Sequence, residues 1–212
     1  MMQKLRDLTR RYGMWALIVL HLLGWFTILV WDPSFARFTP LNLLFSAAVL
    51  VLNDEKGRGS RTAFFVFCFL VGYGVELLGT KTGVPFGEYR YGPNLAPLLA
   101  GVPLVIGLNW FLLAFASFRA WQNLAAPFLL RALLAAATMV FLDLFIEPVA
   151  GPLDYWYWQR GEIPPMNYLA WFGVSLLMQG FGYYALPVRN NPIAPVYLIV
   201  VLFFFLGLNL ML

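Results

Sequence analysis

Charged side chains make up only 11% of this 212-residue sequence, whereas a soluble globular chain carries about 25%. So few cannot cover a water-facing surface, and with 61% hydrophobic residues and a mean hydropathy of +0.75 a soluble domain is excluded. Cysteine is down to Cys68, inside an apolar run, which rules out an intrachain disulfide and a cysteine-based metal site. Histidine is down to His21, also within an apolar run, where a packed, hydrogen-bonded side chain is a simpler reading than a catalytic base. Zinc and di-iron centres recruit several histidines. No metal is therefore expected, although counting alone does not dismiss an all-carboxylate magnesium site. Neither a Gly-x-Gly-x-x-Gly nor a Gly-x-x-x-x-Gly-Lys-Ser/Thr signature occurs, so no cofactor is expected either. The net charge of +4 forms no basic stripe with interleaved aromatics, which argues against nucleic acid as a partner.

What is present is a series of apolar runs near the 20 residues that span a bilayer. Seven stand out, at 14–31, 38–52, 62–79, 98–118, 128–147, 168–187 and 193–212. The short second run and the terminal seventh leave six or eight crossings open, and the fold class expected is an all-α polytopic transmembrane bundle. The first run follows basic residues but has no small-residue cleavage site before Trp31-Asp32-Pro33, so it reads as a retained helix. With no soluble appendage, repeat or low-complexity linker, a single membrane domain over 1–212 is expected.

Lys and Arg favour the cytoplasmic side of short loops. With seven spans and the N-terminus inside a cell membrane, the inner segments hold Lys4, Arg6, Arg10, Arg11, Lys56, Arg58, Arg61, Arg119, Arg131 and Arg189; the outer ones hold Arg37, Lys81, Arg90 and Arg160. That asymmetry places the N-terminus in the cytoplasm and the C-terminus outside.

Against this background three carboxylates, Glu76, Asp143 and Glu147, stand inside or at the ends of apolar runs. Each costs about 2.5–3.5 kcal/mol at a helix centre, so such groups are paired, protonated or used. Asp143 and Glu147 are four residues apart and share a helix face. Two like charges that close in a low dielectric do not both ionise comfortably, which is the setting of a general acid beside a general base. Pro148 offers a plainer reading, ending the helix so that Glu147 sits at the interface. Glu76 has Gly72 and Gly79 near its face, which allows close helix approach or pairing with Lys81 or Arg90. Asn109 and Gln179, taken singly, read as interhelical hydrogen-bonding groups.

Two loops, 81–97 and 148–167, are too rich in glycine, proline and aromatics for plain connectors. The first reads equally as a lid folded over the bundle mouth or as an interfacial aromatic belt. The second carries Asp154 followed by Tyr155, Trp156, Tyr157 and Trp158. These aromatics suit membrane anchoring, and equally suit a site that stabilises a carbocation through ring quadrupoles.

The stretch Gly83-Val84-Pro85-Phe86-Gly87-Glu88-Tyr89-Arg90-Tyr91, then Gly101-Val102-Pro103-Leu104 and Asn109-Trp110, resembles the motif region of the membrane carotenoid biosynthesis proteins, which include the carotenoid 1,2-hydratases and bisanhydrobacterioruberin hydratase. The run 143–150, Asp-Leu-Phe-Ile-Glu-Pro-Val-Ala, with Tyr155-Trp156-Tyr157-Trp158 and Asn167 to Phe172, resembles that family's second signature. The likeness covers roughly residues 72–172. The family pattern often has Asp before the proline, where this chain has Glu147: the carboxylate is kept and its reach lengthened.

The resemblance implies hydration of the terminal double bond of an acyclic carotenoid, a hydro-lyase reaction without a cofactor. In that role Asp143 is expected to donate the proton to carbon 2. Glu147 or Glu76 is expected to orient and deprotonate the water that captures the tertiary cation at carbon 1, and Glu88 to hold the lid through Arg90 or join the acid network. Tyr89, Tyr91, Trp156 and Trp158 are expected to line the cation pocket, with Asn94, Asn109, Trp110, Asn167 and Trp171 as further substrate contacts. The expected partners are the carotenoid, water and membrane lipid; the oligomeric state is open. A carotenoid end-group cyclase, or a polyisoprenoid-binding or transport protein, is the alternative.

Overall fold

In the computed structural model, residues 2–54 and 58–212 are described. Lys56, and the side chains of Lys4, Arg6, Arg10 and Arg58 counted for orientation, lie outside the described residues. The long helices are α1 (Met2–Phe26, continued by a π turn Thr27–Trp31), α2 (Thr39–Asn53), α3 (Arg58–Thr82), α4 (Leu104–Trp121), α5 (Phe128–Ala150), α6 (Pro165–Ala185) and α7 (Ile193–Asn209). The protein is an all-α bundle, and among the described residues five stretches are long and apolar enough to cross a membrane: Arg11–Trp31, Pro33–Asn53, Gly59–Thr82, Leu104–Trp121 and Phe128–Ala150. Helix α6, which carries Asn167, Ser175 and Gln179, and the shorter apolar α7 complete it.

Helix α4 is the axle. It packs against α2, α3, α5, α6 and α7, and 72% of it is buried, against 22–39% of the other four. Those four instead turn leucine, valine and phenylalanine outward, as at Leu22, Leu41, Leu70 and Leu129, which is the surface a hydrocarbon solvent requires. Gly72 allows α3 to approach α4: a Cβ there would stand 2.5 Å from the Trp110 ring.

Helix ends differ from the expected ones by a few residues, as in α3 (Arg58–Thr82) and α6 (Pro165–Ala185), and two shifts bear on the site. The fourth helix begins at Leu104, not 98, because Leu98–Leu99 (β2) and Val102–Pro103 (β3) form a small antiparallel hairpin. Its turn holds Ala100 and Gly101 at φ 53° and 89°, the left-handed pair typical of tight hairpin turns, and Pro103 caps the helix. The fifth helix does not stop at Glu147 but runs through Pro148 to Ala150. Proline cannot donate to the carbonyl four residues back; beside that break Asn209 of α7 donates to the Phe145 carbonyl at 2.6 Å.

One end of the bundle is closed by buried charge. Arg119 grips Asp54 with two bonds, at 2.8 and 3.0 Å, and Arg61 stands 3.7 Å from the same carboxylate. Gln122 joins Arg119 to the α6–α7 connection, whose Asn191 donates to the Leu50 carbonyl. The other end is closed by the two aromatic loops.

Candidate active site

The loops pair with each other. Tyr89–Tyr91 (β1) and Trp156–Trp158 (β4) form an antiparallel ribbon in which Tyr89 faces Trp158, Arg90 faces Tyr157 and Tyr91 faces Trp156. Side chains alternate across a strand. Tyr89, Tyr91, Trp156 and Trp158 therefore point into the bundle, while Arg90 lies outside over the Tyr157 ring, 4.7 Å from its centre. Gly92 is required beside the ribbon, since a Cβ there would meet the Asp154 carbonyl oxygen at 2.2 Å. Asn94 bonds the Leu153 carbonyl at 2.9 Å and so ties one loop to the other.

The inward side chains meet the three carboxylates. Glu147 accepts Trp156 Nε1 at 3.0 Å and Trp158 Nε1 at 2.8 Å on one oxygen and Asn167 Nδ2 at 2.8 Å on the other. The same Asn167 nitrogen donates to Asp143 Oδ2 at 3.1 Å, bridging the pair, whereas Asp143 Oδ1 is buried with no partner among the described residues. Glu76 accepts Tyr89 Oη, Tyr91 Oη at 2.7 Å and Trp110 Nε1 at 3.0 Å. Burial first, and the nearby Glu76 charge second, push the Tyr89 and Tyr91 hydroxyls far above the usual phenol range, so both stay neutral donors. Trp110 stacks on Trp171 at 3.9 Å between ring centres.

A cavity of about 30 Å³ lies among them. Eleven of the thirteen expected site residues line it: Glu76, Tyr89, Tyr91, Asn109, Trp110, Asp143, Glu147, Trp156, Trp158, Asn167 and Trp171, joined by Phe86, Ile106 and Ile146. Glu88 and Asn94 do not. Strand alternation turns Glu88 to the outer face of the ribbon, exposed in a groove with Lys81 and Arg90, and Asn94 is held at the Leu153 carbonyl. Glu76 binds phenols and an indole rather than Lys81 or Arg90. Among the described residues the hydrogen-bond partners of the carboxylates are N–H and O–H donors, an arrangement suited to anionic oxygens.

The β1–β4 pairing and the bridging role of Asn167 were not read from the sequence. The alternation Tyr-Arg-Tyr against Trp-Tyr-Trp is the signal that carries the pairing.

A family model described as carotenoid biosynthesis protein matches residues 38–212. The chain belongs to this family. Among curated relatives, the bisanhydrobacterioruberin hydratase of Haloarcula japonica is 29% identical over 168 residues, which cover 73% of this chain and 56% of the relative. The chain thus spans little more than half that relative's length. No solved structure matches. Within this carotenoid biosynthesis protein all the site residues fall inside the matched region.

Proposed function

We propose that the protein is a carotenoid hydratase, adding water across the terminal double bond of an acyclic carotenoid end group. The observation that carries the reading is the unequal provision of the two linked carboxylates. Glu147 receives three N–H donors, whereas Asp143 receives one and keeps a bare, buried oxygen at the cavity. An ionised carboxylate only accepts hydrogen bonds, so the donors suit an anionic Glu147 and the bare oxygen suits a protonated Asp143.

Asp143 delivers its proton to carbon 2 of the alkene. The tertiary cation left at carbon 1 is bounded by Tyr89, Tyr91, Trp110, Trp156, Trp158 and Trp171, whose ring faces are negative. Water attacks that carbon, and the proton it loses goes to the carboxylate pair; Glu76, held by three donors, keeps the phenols oriented. About 30 Å³ is the room of roughly one water. The end group therefore enters from the lipid only when side chains at the bundle wall or ribbon move aside. The carboxylate end of the bundle faces outward and the Asp54–Arg119 end inward, with the N-terminus in the cytoplasm.

The test is to express the chain in a cell that makes an open-ended carotenoid and read pigment masses. A gain of one water's mass per modified end supports the hydratase; an isomer of unchanged mass points instead to a cyclase, and untouched pigment rejects catalysis on that substrate.

A further inference from the structure

A second cavity, of about 70 Å³, lies across the α4–α5 seam from the carboxylates. His21 of α1, Thr39 and Asn42 of α2, Asn109 of α4 and Tyr155 give it polar walls, and α7 lines another side with residues that include Val201. Four residues, Ile106, Asn109, Ile146 and Trp156, line both cavities, so one layer of side chains separates them.

The polar atoms there are arranged to take guests. His21 Nδ1 donates to the Leu17 carbonyl at 2.8 Å, which leaves Nε2 as an acceptor, with Asn42 Nδ2 3.4 Å away. The Thr39 and Tyr155 hydroxyls bond each other. Hydroxyls and carboxamides keep spare donor or acceptor capacity in such pairs. A water fills about 30 Å³ of the liquid and takes two to four polar partners, so a chamber of about 70 Å³ with five polar side chains has room for at least two.

We propose that this chamber stores the nucleophilic water and that Asn109 is the positioning residue that passes it to the acid cavity. The inference rests on the hydratase reading and adds the source of its second substrate. Hydration makes two opposed demands. The acid must act on an alkene away from bulk water, which would compete for the proton, yet one water must stand at carbon 1 when the cation forms. A store behind Asn109 meets both.

The steps balance. The Asp143 O–H bond breaks as the C–H bond at carbon 2 forms, and the π pair leaves carbon 1 electron-deficient. A lone pair of the passed water forms the C–O bond, and the oxonium gives its extra proton to the Asp143–Glu147 pair, restoring the starting charge. With no water in place, a carbon next to the cation gives a proton to the Asp143–Glu147 pair, the C–H pair becomes the new π bond, and the alkene and the starting charge return.

Membranes bearing the wild type, Asn109→Leu or Val201→Phe are supplied with an acyclic carotenoid in deuterium oxide. The two variants alter the chamber from different helices, one removing the carboxamide and the other filling space. The expected result is at least about a tenfold fall in hydrated product, while the recovered unhydrated carotenoid gains deuterium near its end. A merely structural defect would lower both together. Partition toward labelled, unhydrated carotenoid in either variant supports the assignment; its absence from both overturns it. A wild type that yields neither hydrate nor label rejects the hydratase reading itself.

Discussion

Replacing Asp143 with asparagine removes the transferable proton and almost nothing else. The side chain is fully buried and its Oδ2 accepts one bond from Asn167. The carboxamide oxygen of Asp143→Asn can take the same bond, and the new NH₂ falls where Oδ1 now has no protein partner. One neutral polar group replaces another of equal size in the proposed state, so the stability change should stay within about 1 kcal/mol. The catalytic change is larger. General acid catalysis contributes about 10²–10⁴-fold, or about 2.7–5.5 kcal/mol of barrier. With Glu147 and Glu76 each anionic beneath three donors, no second carboxylic acid remains in the cavity to protonate an unactivated alkene, which places the expected loss at the upper end. The assay is hydrated pigment per unit of protein in membranes, with thermal stability measured on the same detergent-solubilised sample. More than about a tenth of wild-type turnover in a stably folded Asp143→Asn variant would refute the reasoning.

Removing one indole donor, Trp158→Phe, takes from Glu147 a 2.8 Å bond; bonds to charged groups contribute about 1.5–3 kcal/mol, so hydration should fall at least about tenfold while the ribbon persists. Gly72→Ala would push a methyl into Trp110, 2.5 Å away, lowering stability by about 1–3 kcal/mol and activity with it, as thermal denaturation and pigment assay would read. Arg119→Met leaves the buried Asp54, among the described residues, with the more distant Arg61; the expected cost is about 3 kcal/mol or more, partly recovered in the double variant with Asp54→Leu. Glu88→Gln, on the outer face of the ribbon, should leave hydration within about twofold of wild type, far from the losses of general acid catalysis.

The bundle was legible because hydrophobic runs and scarce charge report directly on a lipid environment, and the carboxylates were legible because they violate that pattern. What escaped was local or long-range. Leu98 and Leu99 look like the start of a helix, yet the Ala100–Gly101 turn folds them back on Val102–Pro103. Pro148 reads as a stop, yet the helix passes through it, with Asn209 bonding the Phe145 carbonyl 64 residues away in sequence. Arg61 and Arg119 counted only as topology charges, whereas the structure buries both against Asp54. Four of the six partners of Glu76 and Glu147 lie on loops whose pairing spans 65–69 residues, and the reading of Glu88 as a member of the acid network arose because adjacency in sequence hides the alternation of a strand. His21 was legible as a packed, hydrogen-bonded side chain, but not as a wall of a second chamber.

The central claim is that water itself is added to the carotenoid, and the origin of the product oxygen tests it most directly. Membranes containing the protein, an acyclic carotenoid and ¹⁸O-labelled water should yield a tertiary alcohol heavier by one labelled water per modified end, with air excluded and no reductant added. Product whose oxygen carries no label, or product that forms only when molecular oxygen is present, would contradict the account.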